Sequence, residues 1–292
     1  MEKNELRKIT QEELKDVLEN HEQWLITPGT KGKRADLSYA DLSYTDLSGV
    51  NLEGAILVCT DLSGANLAKA NLSFTSLTCA DLIGANLEDA NLANADLRAA
   101  KLAGSDLSAA DLSCANLLGV DLRYTKLRDG KLVDVNLIYA KLTCADLTNA
   151  KLAGADLLGV DLKDAHLANA NLTDVKNFPN IPMACPKSGS FIGWKCACGY
   201  IVKLEIPEDA KRSSGTGEKC RCSKAKVLSI EHTDSTPLEV TDICSNFDSA
   251  FIYKVGETVI ADDFDNNRFN ECTHGIHFYM DRDLAVYWSR IL

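Results

Sequence analysis

Cys196 and Cys198 in WKCACGY, and Cys220 and Cys222 in GEKCRCSKAK, each enclose a single residue, and the two pairs stand on separate segments. Four thiolates make a structural zinc set, but the strong zinc spacing encloses two residues rather than one. On a strand, residues two apart point to the same face, so such a pair has little room to wrap one metal unless a turn intervenes. Gly199 offers a turn after the first pair, and nothing comparable follows the second. Convergence also requires the two segments to pair as neighbouring strands. Free cysteine is commonly buried, so we read Cys196, Cys198, Cys220 and Cys222 as strand positions, with no cofactor expected and zinc as the alternative.

A second cluster, ECTHGIHFYMDRD, sets Cys272 close to His274 and His277, with Asp281 and Asp283 further on. A cysteine nucleophile needs an imidazole and an orienting group in contact with it. Catalytic partners usually meet through the fold rather than along the chain. His277 and Tyr279 alternate with Ile276 and Phe278, as in an ordinary amphipathic strand. A third run, KRSSGTGEK at 211–219, has the hydroxyls, glycines and bases of an anion cradle but lacks phosphate-loop spacing, and it reads as a flexible loop. No catalytic residue is assigned.

All these groups sit in the last third of the chain. There SFIGWKC, GYIVKLEI, AKVLSI, FIYKVGETVI and GIHFYM read as strands, and MDRDLAVYWSRIL as a closing helix. An α+β domain is expected over 176–292, where KNFPNIPMACPKSGS changes the composition.

Before that point one pattern governs. Leucine occupies every fifth position from Leu37 to Leu172, 28 times without a gap, and the residue two before it is nearly always Ala, Thr or Val. The residue just before the leucine is Asp or Asn in 20 of the 28, and the two positions after it are mostly polar, small or aromatic. A period of five is neither helix nor plain strand. A chain that turns two positions inward and bends once every five residues must wind as a polygonal solenoid with stacked leucine ladders. A calcium array along the Asp and Asn column is disfavoured by Lys101, Lys126, Lys131, Lys141 and Lys151, which interrupt it. Those acids are expected to cap backbone. With four pentapeptides to a coil, Lys101 would lie between Asp81 and Asp121, and Lys141 between Asp121 and Asp161, relieving charge down the stack. The outward Tyr39, Tyr44, Phe74, Tyr124 and Tyr139 are expected to pack at corners.

The segments ADLSYADLSYTDLSG, ANLEDANLANADLRAA and AGADLLGVDL resemble the pentapeptide-repeat proteins, with consensus A(D/N)LXX, and the likeness runs across 35–175. The resemblance implies an all-β solenoid, a right-handed quadrilateral β-helix of about seven coils. Recurrences four pentapeptides apart, such as Cys59 with Cys79 and Gly64 with Gly84 and Gly104, agree with four sides. CPKSGSFIGWK, FIYKVGETV and ECTHGIHFY resemble an uncharacterised domain attached to such repeats in bacterial and phage proteins, over roughly 185–285.

At the other end, Thr10 and Glu13 in TQEELKDVLENHEQWL form a capping-box pattern. Leu14, Val17, Leu18 and Trp24 fall near one face of a helix over about 11–24. The expected division is therefore 1–34 for a capping helix and connector, 35–175 for the repeats, and 176–292 for the α+β domain.

The net charge is −11, and residues 35–175 carry 19 acids against ten bases. Such a surface repels phosphates and anionic membranes, so no direct nucleic-acid binding and no membrane association are expected. No apolar run approaches a membrane span, and the charged opening MEKNELRKITQEELKDV is unlike a secretory signal, which points to the cytoplasm and reduced thiols. The expected function is a non-enzymatic protein-interaction scaffold in which a rigid acidic β-helix positions a C-terminal recognition domain for a protein partner, with homo-oligomers allowed. The alternatives are a DNA mimic that binds a topoisomerase such as DNA gyrase, as some pentapeptide-repeat relatives do, and an enzyme with its site in the last domain.

Overall fold

The computed structural model describes residues 6–181, 183–234, 236, 240–270 and 274–290. It divides into two units, Met1–Asn180 and Ile181–Leu292.

In the first unit the period of five becomes one side of a coil, and four pentapeptides complete the turn. Parallel bridges join equivalent positions of successive coils, from Asp36↔Ile56 through to Asp156↔Lys176. Pentapeptides with a coil on either side spend their backbone N–H groups in the same way. The leucine donates to a carbonyl of the next coil (Leu57 to Ser76, 2.8 Å), and so does the corner residue two after it (Cys59 to Thr78, 2.9 Å). The residue before the leucine donates to the preceding coil (Asp61 to Ala40, 3.0 Å), and the small residue closes a tight turn (Ala65 to Leu62, 3.0 Å). The corner residue sits in the left-handed region, with φ of 53° at Cys59 and 60° at Lys69. That conformation favours Gly, Asn and Asp, which recur at this position.

The interior is a leucine stack. Every leucine of the series from Leu37 to Leu167 is at most 5% exposed, and Leu172 is half-buried. Each contributes roughly 1.5–3 kcal/mol before chain entropy is subtracted. Where the small inward residue carries a hydroxyl, it is satisfied locally. Thr75, Ser105 and Thr125 donate to the carbonyl of the preceding leucine at 2.6, 2.7 and 2.7 Å. Thr60 reaches the Leu37 carbonyl in the adjoining coil at 2.8 Å.

Ahead of the repeats, β1 (Arg7–Lys8) pairs in parallel with β2 (Ala40–Asp41), and α1 spans Gln11–Ile26. Both capping-box bonds form: Thr10 N–H to Glu13 Oε2 at 2.8 Å and Glu13 N–H to Thr10 Oγ1 at 3.1 Å. The helix buries Leu14 as the pattern requires, but its second buried residue is His21 rather than Val17 or Leu18. His21 Nδ1 accepts the Ala35 N–H at 3.1 Å, and Trp24 stacks on the ring at 5.6 Å. Burial pushes the imidazole pKa down, favouring the neutral ring that this acceptor role needs. The connector is tied on both sides, by Lys33 N–H to the Asn20 carbonyl and Arg34 Nε to the Gly54 carbonyl.

The second unit contains β3 (Phe191–Ala197), β4 (Tyr200–Ile206), β5 (Arg212–Ser214), β6 (Lys219–Cys222), β7 (Lys224–Glu231), β8 (Asp242–Cys244), β9 (Ile252–Lys254), β10 (Thr258–Ile260), β11 (Ile276–Tyr279) and α2 (Arg282–Ser289). Seven strands form one antiparallel sheet in the order β10-β7-β4-β3-β11-β6-β5, and β8 and β9 form a separate hairpin. The expected run 251–260 is two strands, broken at Gly256 with φ 88°. Along β4, Val202, Leu204 and Ile206 face the main core with Val227, Tyr253 and Phe278. Ile201 faces the opposite side, where it packs with Cys196 and Ala285 of α2.

Three arginines hold the loops around this sheet by donating to backbone carbonyls. Arg212 reaches Gly189, Pro207 and Glu208 at 2.7–2.8 Å. Arg221, 2% exposed, reaches His274 and Asn267 at 3.0 and 2.8 Å. Arg268 joins Ile181, Ser214 and Gly215 at 3.0–3.1 Å.

Candidate functional site

One N–H per pentapeptide, on the residue after the leucine, is left over by the ladder. The Asp or Asn just before the leucine takes it. At all 20 such positions, from Asp36 to Asn171, the side-chain Oδ1 accepts the N–H two residues on, at 2.9–3.3 Å. Asp and Asn both offer this oxygen, which is why the column accepts either. Three of its five lysines pair with acids one coil away: Lys101 with Asp81 and Lys126 with Asp106 at 2.9 Å, Lys131 with Asp111 at 3.4 Å. The lysines of these pairs are exposed, so the pairs tune the surface rather than hold the fold. The column is committed to the backbone and to surface charge balance.

The functional interest lies on the position after the leucine, which points outward. Read down one side of the solenoid, bridges align Asn116, Asn136 and Asp156, so Leu118, Ile138 and Leu158 stack in one column. Their backbone is fixed at both ends. Leu118, Ile138 and Leu158 N–H donate to the aligned Asx side chains, and the carbonyls of Ile138 and Leu158 accept from Gly119 and Tyr139. Leu118 and Leu158 are 38% and 44% exposed, and Tyr139 on the adjoining corner is 62% exposed. The Tyr139 ring lies over Gly159 of the next coil, where an added Cβ would fall 2.5 Å from it. Tyr44 lies over Gly64 in the same way. Thus Tyr44 and Tyr139 do pack at corners, while Tyr139 also borders an aliphatic stripe three coils tall. The stripe is visible in the sequence only at a stride of one coil, since Leu118, Ile138 and Leu158 stand far apart along the chain.

In the second unit the four candidate cysteines do not meet. β11 lies between β3 and β6, so the neighbouring pairing that zinc would require is absent. Cys196 packs beneath α2, Cys198 is exposed at the β3–β4 turn with φ 47°, and Cys220 and Cys222 are buried in the main core. Burial pushes the Cys222 thiol up to about 12, which keeps it protonated. Among the described residues no group of three or more Cys, His, Asp or Glu could hold a metal.

The Cys272 nucleophile candidate lies outside the described residues. Its neighbours have other roles. His274 is exposed, with Nε2 3.3 Å from Asp263, and His277 pairs with Arg221 across β11 and β6. Asp281 is the N-cap of α2, its Oδ1 accepting the Asp283 N–H at 2.7 Å. The run 211–219, expected as a loop, instead contains β5 and the first residue of β6, and it buries Ser213 and Ser214. Ser214 Oγ accepts the Ala184 N–H at 2.8 Å. The one strongly perturbed amine among the described residues is Lys195, 8% exposed, whose Nζ lies 5.5 Å from the centre of the Tyr253 ring; burial pushes it down to about 8. Sequence reading did not single it out, because a lysine in a strand reads as an outward residue.

Comparison with known proteins bears on both units. A model of pentapeptide repeats matches in eight copies over 28–54, 55–92, 90–129, 131–167 and 140–176, and a family of unknown function (DUF5758) matches 181–285. No curated protein matches. Among solved structures, HetL, a pentapeptide-repeat protein involved in heterocyst differentiation regulation in the cyanobacterium Nostoc, is 37% identical, with 49% of this chain and 70% of that one covered and a TM-score of 0.27. Full-length QnrB1, a plasmid-mediated fluoroquinolone resistance protein, is 19% identical over 47% and 83%, with a TM-score of 0.26. A pentapeptide-repeat protein of the Arabidopsis thaliana thylakoid lumen is 30% identical over 38% and 69%, with a TM-score of 0.16. With the repeat model covering more than half of its residues, the chain belongs to the pentapeptide-repeat proteins, whose members fold as right-handed quadrilateral β-helices.

Proposed function

We propose that this chain is a non-enzymatic protein-interaction scaffold working in the cytoplasm. A rigid acidic β-helix of seven coils, capped by α1, engages a protein partner, and the second unit adds a further recognition element. The observation that carries this reading is the column of exposed Leu118 and Leu158 with half-buried Ile138 between them and exposed Tyr139 at its border, aligned by the parallel bridges of successive coils. Aliphatic side chains stacked across successive coils, with an aromatic edge, form the apolar centre that interfaces use. Residues 116–164, which hold the stripe, carry seven acids against seven bases, so the charge there is balanced and the apolar residues carry the contact.

The test is affinity capture with the full chain and with a Leu118→Glu/Leu158→Glu variant, using Phe74→Glu on another corner as control. The scaffold reading expects the stripe variant to lose its specific partner by at least about tenfold, roughly 1.4 kcal/mol, while its circular dichroism and that of the control are unchanged. Retention of the same partner by a folded stripe variant removes this surface from the function.

A further inference from the structure

Cys198 and Cys244 are far apart in sequence, yet their sulfurs lie 3.1 Å from each other. Cys198 is the turn residue between β3 and β4, and Cys244 ends β8. Several contacts hold the two segments together. The Cys198 N–H donates to Asn246 Oδ1, the Cys198 Sγ donates to the Cys244 carbonyl at 3.4 Å, and Asn246 Nδ2 donates to Cys196 Sγ at 3.6 Å. Cys198 is exposed and Cys244 half-buried, so a small reagent can reach the pair, unlike the core thiols Cys185, Cys220 and Cys222. A covalent S–S bond is about 2.05 Å long, so bonding requires the sulfurs to close by roughly an ångström. The hydrogen bond with Cys244 pushes the Cys198 thiol pKa up.

What the pair would fasten is also defined. The β8–β9 hairpin forms no part of the seven-stranded sheet. It is held by Ile243 and Tyr253, which pack on the main core, and by the contacts at Asn246. The loop between its strands carries Phe247, 81% exposed.

We propose that Cys198 and Cys244 form a reversible disulfide that fastens the β8–β9 hairpin to the β3–β4 turn, with a low-molecular-weight disulfide as oxidant. The Cys198 thiolate attacks one sulfur of the small disulfide, forming a mixed disulfide and expelling one small thiolate. The Cys244 thiolate then attacks the Cys198 sulfur, closing the protein bond and expelling the second. Two protein thiols are oxidised, the small disulfide is reduced to two thiols, and the two protons released by the cysteines pass to the leaving groups.

The experiment treats the reduced full chain with oxidised glutathione and follows free thiols, non-reducing peptide maps and hydrogen exchange over 242–254. The expected result is an intrachain Cys198–Cys244 link formed at least about tenfold faster than links that must first bring separated sulfurs together, with the neighbouring Cys59 and Cys79 of the solenoid followed as a separate pair. Exchange in the hairpin then slows, and dithiothreitol reverses both changes. Cys198→Ser and Cys244→Ser each stop at a mixed disulfide on the remaining cysteine, whereas Cys114→Ser, at an exposed corner flanked by Asn94 and Asp134 in the adjoining coils, leaves the Cys198–Cys244 link unchanged. The proposal is overturned if the wild-type chain also stops at mixed disulfides, links Cys198 or Cys244 to other cysteines, joins two chains, or retains a metal on these sulfurs that blocks oxidation.

Discussion

Replacing Asp41 by Asn keeps the oxygen that accepts the Ser43 N–H at 3.2 Å, whereas replacing it by Ala leaves that donor without its partner. Chemical denaturation should therefore find Asp41→Asn close to wild type at neutral pH and Asp41→Ala destabilised by about 1 kcal/mol. Equal losses in the two variants would show that the column acts through charge rather than backbone capping. A pH dependence follows from the same contacts. The hydroxyls and N–H groups of Ser38, Ser43 and Ser48 hold the carboxyls of Asp36, Asp41 and Asp46 below the ordinary aspartate range. A depressed folded pKa gives stability that is present above the unfolded value of about 4 and is lost as the pH falls through the folded values. The acid limb of the stability curve should be shallower in Asp41→Asn. Much at this scale was legible, because the Asp and Asn preference repeats 20 times. His21 was not, since a histidine in a helix reads as polar until the Ala35 N–H is found pointing at it.

The corners show how an element limits its own residues. Gly104 and Gly159 both sit in the left-handed region, at φ 69° and 66°, but an added Cβ meets nothing within 4 Å at Gly104 and strikes the Tyr139 ring at Gly159. Alanine is already present at corners with this φ, as at Ala99 and Ala109. Gly104→Ala should therefore cost about 1 kcal/mol or less, and Gly159→Ala about 1 kcal/mol more. In thermal unfolding the excess should vanish in a Tyr139→Ala background, and an excess that persisted there would place the strain in the backbone instead. The solenoid was readable because one period dictates the same contacts many times. The second unit was readable where apolar residues mark a strand, as in Tyr200–Ile206 and in the short Ile252–Lys254 and Ile276–Tyr279. β5 and β8 are short, with polar members such as Arg212 and Asp242, and short polar runs carry no periodic signal. The approach of Cys198 to Cys244 depends on where the β8–β9 hairpin docks, which no local pattern encodes.

At the scale of the whole chain, a regular ladder and an irregular sheet serve different ends. The ladder fixes outward side chains in columns at about 4.8 Å intervals, so a binding surface can be written by changing one position per coil without touching the core. The C-terminal unit instead spends one buried arginine, Arg221, and two half-buried ones, Arg212 and Arg268, on backbone carbonyls, which holds its loops in place around the sheet. Hydroxyl-radical footprinting of the full chain with and without its captured partner tests the central claim most directly. The account predicts that Leu118, Ile138, Leu158 and Tyr139 become protected together, while the outward Tyr44 and Phe74 react as in the free chain. Unchanged reactivity at those four residues, with protection on another side of the solenoid or confined to 181–292, would contradict it.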